Sequence, residues 1–180
     1  MLNFEQILWN RLPMPDTTMA LLFNAVVIGT GATLVMDAWG ILRKRLLGVP
    51  ALDYGLVGRW LAWLPRGHLC HHPIAASPPV RRERGIGWIA HYLTGIVFAA
   101  ILLGLWGLDW ARHPTLAPAL IVGIGSVAAP FLLMQPAMGA GIAASRTPRP
   151  NVARAHSLLT HAVFGLGLYV AGWVVSLVAI

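Results

Sequence analysis

The sequence contains few charged residues for its length. Asp, Glu, Lys and Arg make up only 11% of the 180 residues, whereas a soluble domain carries about 25%. Hydrophobic residues account for 57%. The interior of a soluble domain of this size is too small to bury so much apolar surface. The composition therefore excludes an ordinary soluble protein and indicates an integral membrane protein.

Cysteine and the common enzyme motifs are also scarce. Cys70 is the single cysteine, so an intramolecular disulfide is impossible. The sequence has no nucleophile elbow, P-loop or dinucleotide-binding fingerprint. We therefore assign no catalytic residues, and the sequence favours a protein that is not an enzyme.

Four long apolar segments dominate the rest of the chain. They cover residues 19–42, 85–107, 115–144 and 157–180. Each is long enough to cross a bilayer as a helix, which needs about 20 apolar residues. The sequence thus predicts an all-α integral membrane protein. Residues 1–180 are expected to form a single membrane domain built on a bundle of four transmembrane helices.

Basic residues are concentrated in two of the loops between these segments. Loops 43–84 and 145–156 hold eleven of the thirteen Lys and Arg residues. The positive-inside rule places both loops in the cytoplasm and both chain termini in the periplasm. Topology therefore explains the net charge of +7 without a nucleic-acid partner. The basic clusters at the two ends of the first loop could also bind headgroups of anionic lipids. Their members are Arg43, Lys44, Arg45, Arg81, Arg82 and Arg84.

Short interfacial helices are predicted on both sides of the first span. Apolar residues recur at helical spacing in residues 4–12. In the first loop, Asp53 is suited to cap a helix over residues 54–64. The sequence Pro-Arg-Gly would end that helix, and we predict an extended connector for the rest of the loop.

This connector contains four possible metal ligands. His68, Cys70, His71 and His72 lie within five residues, and imidazole and thiolate groups bind zinc or copper well. Their spacing matches no structural zinc signature, and adjacent side chains on an extended chain point to opposite sides. Two interpretations stay open, a metal site and histidines that are simply solvated, and the spacing favours the second.

Three ionisable residues interrupt the apolar segments. Asp37 lies six residues before Arg43, while His91 and His161 each lie seven residues after an arginine. At about 1.5 Å of rise per residue, all three lie at one depth, about 9–11 Å from the flanking charges. Ionisable groups inside a membrane commonly mark functional sites. We therefore predict a polar intramembrane site near the cytoplasmic face.

Gln135 extends this predicted site into the third apolar segment. Pro130 and Pro136 lie on either side of it and are expected to kink the helix. The carbonyl groups that a kink frees must face the bundle interior, because lipid cannot satisfy them. The expected result is a cavity lined by Asp37, His91, Gln135 and His161.

The two halves of the chain show a weak internal similarity. Gly29-Thr30-Gly31 in the first segment resembles Gly123-Ile124-Gly125 in the third. In both the second and the fourth segment, a histidine stands four residues before a glycine. This pattern suggests two parallel two-helix repeats with a binding site between them. Coincidence in a glycine-rich chain is the alternative.

Four stretches of the chain carry a resemblance to a known family. They are MDAWGILRKRLLGVPALDYGLVGRW, IGWIAHYLTGIVFA, PFLLMQPAMGAGIAASRTPRPN and THAVFGLGLY. In these stretches the chain resembles a bacterial family of uncharacterised inner-membrane proteins, known only as a domain of unknown function. The resemblance extends from near Asn24 onward. It implies a location in the bacterial inner membrane, but it implies no activity and no site residues.

The intramembrane polar residues allow three functional hypotheses besides a purely structural contact between helices. The first is a small transporter or carrier in which Asp37 and the histidines bind a proton or cation, while the basic mouth attracts an anion. The second is a haem or transition-metal protein with His91 and His161 as ligands. The third is a lipid-binding or assembly factor without chemistry. Four helices enclose little space, so a carrier of this size is expected to form a homo-oligomer.

Overall fold

Helices make up most of the structure. The computed structural model describes residues 15–50 and 52–178, and the predicted helix at residues 4–12 lies outside them. Among the described residues the chain forms only helices, turns and irregular loops, so the prediction of an all-α protein is confirmed. In chain order the helices are α1 (Pro15–Leu47), α2 (Tyr54–Trp63), α3 (Glu83–Trp106), α4 (Leu108–Arg112), α5 (Leu116–Gly125), α6 (Gln135–Ala137) and α7 (Pro150–Val178).

Four helical segments are long and apolar enough to cross a membrane. They are α1, α3, α7 and the segment Leu116–Ala137, which contains α5 and α6. The prediction of four long apolar helices is therefore confirmed, with shifted boundaries. Helix α7 begins at Pro150 and not at residue 157, because proline suits the first turn of a helix, where its missing N–H is not needed. Helix α1 likewise continues past residue 42 to Leu47.

The third span is shorter than predicted. It ends at Ala137 and not at residue 144. Gly139 and Gly141 have φ values of +97° and +75°, which glycine tolerates and which end a right-handed helix. The apolar residues that follow form a short 3₁₀ turn, Ile142–Ala144, outside the span.

The same span contains an irregular turn near its middle, as the prolines predict. Pro130–Met134 forms a π-helical turn, in which the Gln135 N–H donates to the Pro130 carbonyl. Proline lacks the N–H that would continue an α-helix, so the hydrogen-bond pattern must change at this point.

Helices α1 and α7 lie at the centre of the bundle. Helix α1 packs along both α3 and α7, and α5 packs along another side of α7, whereas α3 and α5 make little contact. Ile28, Leu102 and Leu168 are fully buried in the core between these helices. Large apolar side chains on the outside, such as Phe23 and Leu105, are 67% and 68% exposed. The apolar outer surface implies contact with a lipid bilayer.

Glycine contacts bring the helices close together in both halves of the chain. At the crossing of α1 and α3, a Cβ on Gly29 would lie 2.5 Å from Cα of Ile96 and 2.8 Å from the Gly95 carbonyl oxygen. At the crossing of α5 and α7, Gly123 packs directly against Gly165. The glycines at these two crossings are the ones that correspond between the two halves of the sequence. Because α1 and α7 pack extensively while α3 and α5 barely touch, the internal repeat stays a prediction.

Helix α2 lies at the basic end of the bundle, which we define as the end where α1 stops and α3 and α7 begin. Asp53 caps α2 as predicted, since its Oδ1 accepts a hydrogen bond of 2.8 Å from the Gly55 N–H. Gly58 and Gly87 allow α2 to approach α3 so closely that a Cβ on either glycine would overlap the backbone of the other helix. This contact fixes the position of α2 against α3.

The sequence predicts an extended connector after α2. In the structure this connector is instead docked against the third span. The His71 N–H donates to the Ala137 carbonyl at 2.7 Å, and the Ile74 N–H donates to the Met138 carbonyl at 3.1 Å. The Ile74 side chain is only 3% exposed. The carbonyl groups at the end of the third span have no helical partners of their own, which explains why they accept these bonds.

Candidate intramembrane polar site

Asp37 of α1 and His91 of α3 are in direct contact inside the bundle. Oδ1 of Asp37 lies 2.9 Å from Nε2 of His91. The side chain of His91 is 11% exposed and that of Asp37 is 16% exposed. At this distance one proton forms a hydrogen bond between the carboxyl group and the imidazole. The structure thus joins two of the residues that the sequence predicted for the site.

Two tyrosines complete the surroundings of this pair. Tyr92 donates its hydroxyl proton to Oδ2 of Asp37 at 2.9 Å. The Tyr54 hydroxyl lies 2.9 Å from Nε2 of His91, and the Tyr54 and His91 rings stack with centroids 4.2 Å apart. Burial and the nearby Asp37 carboxylate raise the pKa of Tyr54, so its hydroxyl keeps its proton. We call Asp37, His91, Tyr54 and Tyr92 the polar cluster.

Sequence reasoning missed both tyrosines. Tyr54 belongs to the apolar face of α2, where it has the pattern of an interfacial anchor. It reaches His91 only because Gly58 and Gly87 hold α2 against α3. Tyr92 follows His91 directly, and adjacent positions on a helix usually face different neighbours. The one available signal was a hydroxyl group beside an ionisable residue in an apolar segment.

The hydrogen-bond pattern restricts where the proton between Asp37 and His91 lies. An ionised Asp37 can only accept, so Nε2 of His91 must then carry the proton and donate it. When Nε2 carries no proton, its single lone pair can accept from the Tyr54 hydroxyl or from a protonated Oδ1 of Asp37. The position of the proton therefore decides which of the two contacts at Nε2 is a hydrogen bond.

His161 of α7 is held by a separate polar contact. The Ser126 hydroxyl donates to the Gly123 carbonyl at 2.6 Å and lies 2.7 Å from Nδ1 of His161. A hydroxyl has one proton, so Nδ1 of His161 is the donor in the second contact. In a neutral ring this leaves Nε2 as an acceptor. His161 thus does not join the hydrogen bonds of the polar cluster.

A cleft of about 530 Å³ opens beside the polar cluster at the basic end. Asp37, Gln135 and His161 line this cleft. His91 borders a smaller pocket of about 70 Å³, which it shares with His161. Among the described residues, the buried Oε1 of Gln135 has no hydrogen-bond partner. A buried polar atom of this kind is available to a molecule bound in the cleft.

The four possible metal ligands of the connector are not assembled into a site. His71 is buried with Nδ1 2.8 Å from the Ser77 hydroxyl, so the interpretation of a solvated histidine is wrong for this residue. Cys70, His68 and His72 are exposed. Within the part of the chain that the structure describes, no group of three or more His, Cys, Asp or Glu side chains is placed to hold a metal ion.

The arrangement of the two intramembrane histidines does not fit a haem between them. Nε2 of His91 is engaged by Asp37 and Tyr54. The pocket that His91 shares with His161 has a volume of only about 70 Å³. A water molecule occupies about 30 Å³ of liquid, so this pocket holds about two waters and is far smaller than a porphyrin.

The basic residues predicted to bind lipid headgroups fall into two groups. Exposed ones are Lys44, Arg45, Arg81, Arg82 and Arg84. Arg43, in contrast, is only 8% exposed and lines the cleft. It donates to the Thr160 hydroxyl at 3.3 Å and to the Pro50 carbonyl at 3.4 Å. Arg43 therefore belongs to the wall of the cleft and not to the outer surface.

Comparison with known proteins agrees with the resemblance found in the sequence. A search of curated proteins and of solved structures finds no significant match. A family model described as a protein of unknown function, DUF2938, matches residues 26–175. The matched range includes both residues of the Asp37–His91 pair and all the residues that line the cleft. The chain therefore belongs to the DUF2938 family of membrane proteins of unknown function.

Proposed function

We propose that the protein is a small carrier of the bacterial inner membrane that couples solute binding in the cleft to proton transfer at the polar cluster. The observation that carries this proposal is the contact of 2.9 Å between Asp37 and His91 at the edge of the cleft. Carboxyl and imidazole groups are the side chains that most often accept and release protons in proteins. Hydrogen bonds from Tyr92 and Tyr54 hold the two groups in position.

Electrostatics provides the coupling between the two sites. Two unit charges about 10 Å apart interact by about 1.7 kcal/mol at an effective dielectric constant of about 20. An interaction energy of this size changes a binding or protonation equilibrium constant by more than about tenfold. A charged solute in the cleft would therefore shift the balance between the protonated and deprotonated cluster. Reciprocally, the proton would change the affinity for the solute by the same factor.

The cleft faces the cytoplasm in this proposal, because the basic end carries most of the Lys and Arg residues. Transport also requires access from the periplasm, which is the side of both termini in the proposed topology. The weak contact between α3 and α5 and the π-helical turn at Pro130–Met134 make the third span the element best suited to move. Assembly into a homo-oligomer would enlarge the enclosed path.

Proton binding at the cluster can be tested in proteoliposomes. A rapid pH jump on a solid-supported membrane should give a transient current as the proton enters the site. In a second measurement, inorganic phosphate and succinate are added outside the proteoliposomes. The pH-sensitive dye pyranine, trapped inside, reports any proton movement. We expect the pH-jump current in the wild type and its loss in Asp37→Asn, because an amide cannot take up the proton.

Asp109→Asn is the matched control, because Asp109 is an exposed carboxylate that pairs with Arg112 at the other end of the bundle. It should retain the current. A current of equal size in the wild type and in Asp37→Asn would overturn the proposal. If Asp37→Asn loses thermal stability but keeps the pH-jump current, the contact with His91 is purely structural.

A further inference from the structure

Arg43 is a buried cation near the end of α1. Its residue is 8% exposed, which leaves more than nine tenths of its surface inside the protein. The two hydrogen bonds of its terminal nitrogens are long, at 3.3 Å and 3.4 Å, and both go to uncharged oxygens. Its Nε atom is buried and has no partner among the described residues. Most of the five N–H donors of the guanidinium are therefore not well satisfied.

No carboxylate neutralises this guanidinium in the part of the chain that the structure describes. The ion pairs there join Arg59 to Glu83, His91 to Asp37 and Arg112 to Asp109. Asp37 lies in the same cleft wall, but its two oxygens are already bound by His91 and Tyr92. A guanidinium stays charged at any pH that a folded protein survives, and a buried charge without a partner is strongly unfavourable.

The cleft supplies the space and the other groups that an anion needs. Its volume of about 530 Å³ lies within the range of about 300–1,000 Å³ that is usual for small-molecule sites. Lys44 and His156 line it beside Arg43, and Ser157 contributes a hydroxyl group. The Thr160 hydroxyl already donates to the His156 carbonyl at 2.7 Å and serves only to hold Arg43. Several basic groups around one space favour a multiply charged oxyanion.

We infer that the cleft binds a phosphate group, with the guanidinium of Arg43 as its central ligand. The planar fork of an arginine matches two phosphate oxygens, and this pairing would use the N–H donors that the protein leaves open. The inference names the substrate class of the proposed carrier and rests on that function for its biological meaning. Binding itself is measurable without transport.

The phosphate has two possible sources with the same chemistry, a free solute and the headgroup of an anionic lipid. Ile41, Val49 and Leu52 form an apolar part of the cleft wall, which would suit the glycerol and acyl portions of a lipid. Two separate probes distinguish the sources. Inorganic phosphate is titrated calorimetrically into detergent-solubilised protein, and phosphatidylglycerol retention is measured by native mass spectrometry, with diacylglycerol as the lipid without a phosphate.

We expect the wild type to bind at least one of these probes and Arg43→Gln to bind it about tenfold more weakly or worse, since a charge-assisted hydrogen bond is lost. Arg149→Gln is the matched control, because Arg149 is exposed at the same end and does not line the cleft. Arg43→Lys keeps the charge without the fork and should show intermediate affinity, which covers the case in which Arg43→Gln does not fold.

Phosphate binding alone would identify a free solute, and phosphatidylglycerol binding alone would identify a lipid. Binding of neither probe would overturn the inference, as would equal affinities of Arg43→Gln and Arg149→Gln. Asp37→Asn separates this inference from the carrier proposal. We expect it to bind the probe at least as tightly as the wild type does, because a carboxylate is removed from the cleft wall, while losing the pH-jump current. If the probe binds but the wild type gives no current, the phosphate site stands and the carrier proposal fails.

Discussion

At the scale of single residues, Asp37 connects three helices through its carboxyl group. It belongs to α1, and its two oxygens contact His91 and Tyr92 of α3. Through His91 it is linked to Tyr54 of α2. Removal of any one of these groups would leave a buried partner unsatisfied, with a penalty of about 1–3 kcal/mol. The same residue that suits proton exchange therefore also stabilises the arrangement of the helices.

We predict that Tyr54 makes the stability of the protein sensitive to alkali. Burial and the Asp37 charge raise the pKa of Tyr54 in the folded state above its ordinary value of 10.0. The unfolded chain therefore loses this proton first as the pH rises. The contribution of Tyr54 to stability is full below pH 10.0 and decreases above it.

The unfolding midpoint of detergent-solubilised protein measures this effect across alkaline pH. Tyr54→Phe should be less stable than the wild type near neutral pH, because it loses the contact with His91. Above the ordinary tyrosine pKa, its stability should decrease less steeply than that of the wild type. Parallel curves for the two proteins would contradict the prediction.

The sequence identified some residues of the site and not others for a physical reason. Asp37, His91 and His161 stand out because each interrupts an apolar segment, where a polar group is unfavourable. Arg43 does not stand out, because a basic residue at the end of a span looks like part of the topology signal. Its burial depends on Thr160 of α7, which is 117 residues away in the chain. Local sequence patterns contain no information about such a contact.

At the scale of the elements, the helix ends were the part least predictable from hydropathy. Residues 138–144 are as apolar as the span before them, yet they form a turn because Gly139 and Gly141 adopt positive φ. The start of α7 had a usable signal in Pro150, which a hydropathy window ignores. The docking of α2 on α3 depends on two glycines that the sequence alone does not pair.

We predict that Gly87→Ala destabilises the protein and that Gly85→Ala does not. A Cβ on Gly87 would overlap the Tyr54 carbonyl, whereas nothing lies within 4 Å of a Cβ on Gly85 in the same helix. Overpacking costs about 1–3 kcal/mol. Alanine at an open helical position should instead be neutral or stabilise by up to about 1 kcal/mol.

Thermal unfolding of the two variants in detergent tests this prediction. Gly87→Ala should also disturb the contact between Tyr54 and His91, because α2 must move away from α3. Equal unfolding midpoints for the two alanine variants would show that the close approach of α2 is not important for stability.

At the scale of the whole molecule, the polar features are gathered at one end of the bundle. The cleft, the polar cluster and the docked connector all lie at the basic end, while the opposite end carries the exposed Asp109–Arg112 pair. From this asymmetry and the positive-inside rule we predict that the basic end faces the cytoplasm.

The single cysteine offers a direct test of this orientation. Cys70 is exposed and lies in the connector at the basic end. A membrane-impermeant maleimide should therefore label it only after the cells are permeabilised. Asp109→Cys in a Cys70→Ser background should be labelled in intact cells, because Asp109 is exposed at the opposite end. Labelling of Cys70 in intact cells would reverse the assigned topology.

The separation of Asp37 from its partner also has a consequence for biosynthesis. His91 lies 54 residues after Asp37, so α1 enters the membrane while α3 is still being synthesised. An unpaired aspartate opposes insertion by at most about 2.5–3.5 kcal/mol, which is the penalty at the centre of a helix. The length of 31 residues and the mean hydropathy of 1.9 allow the first span to insert despite this penalty. We predict that the arrival of α3 removes this penalty, so that the pairing of Asp37 with His91 and Tyr92 favours the association of the first two spans during translation.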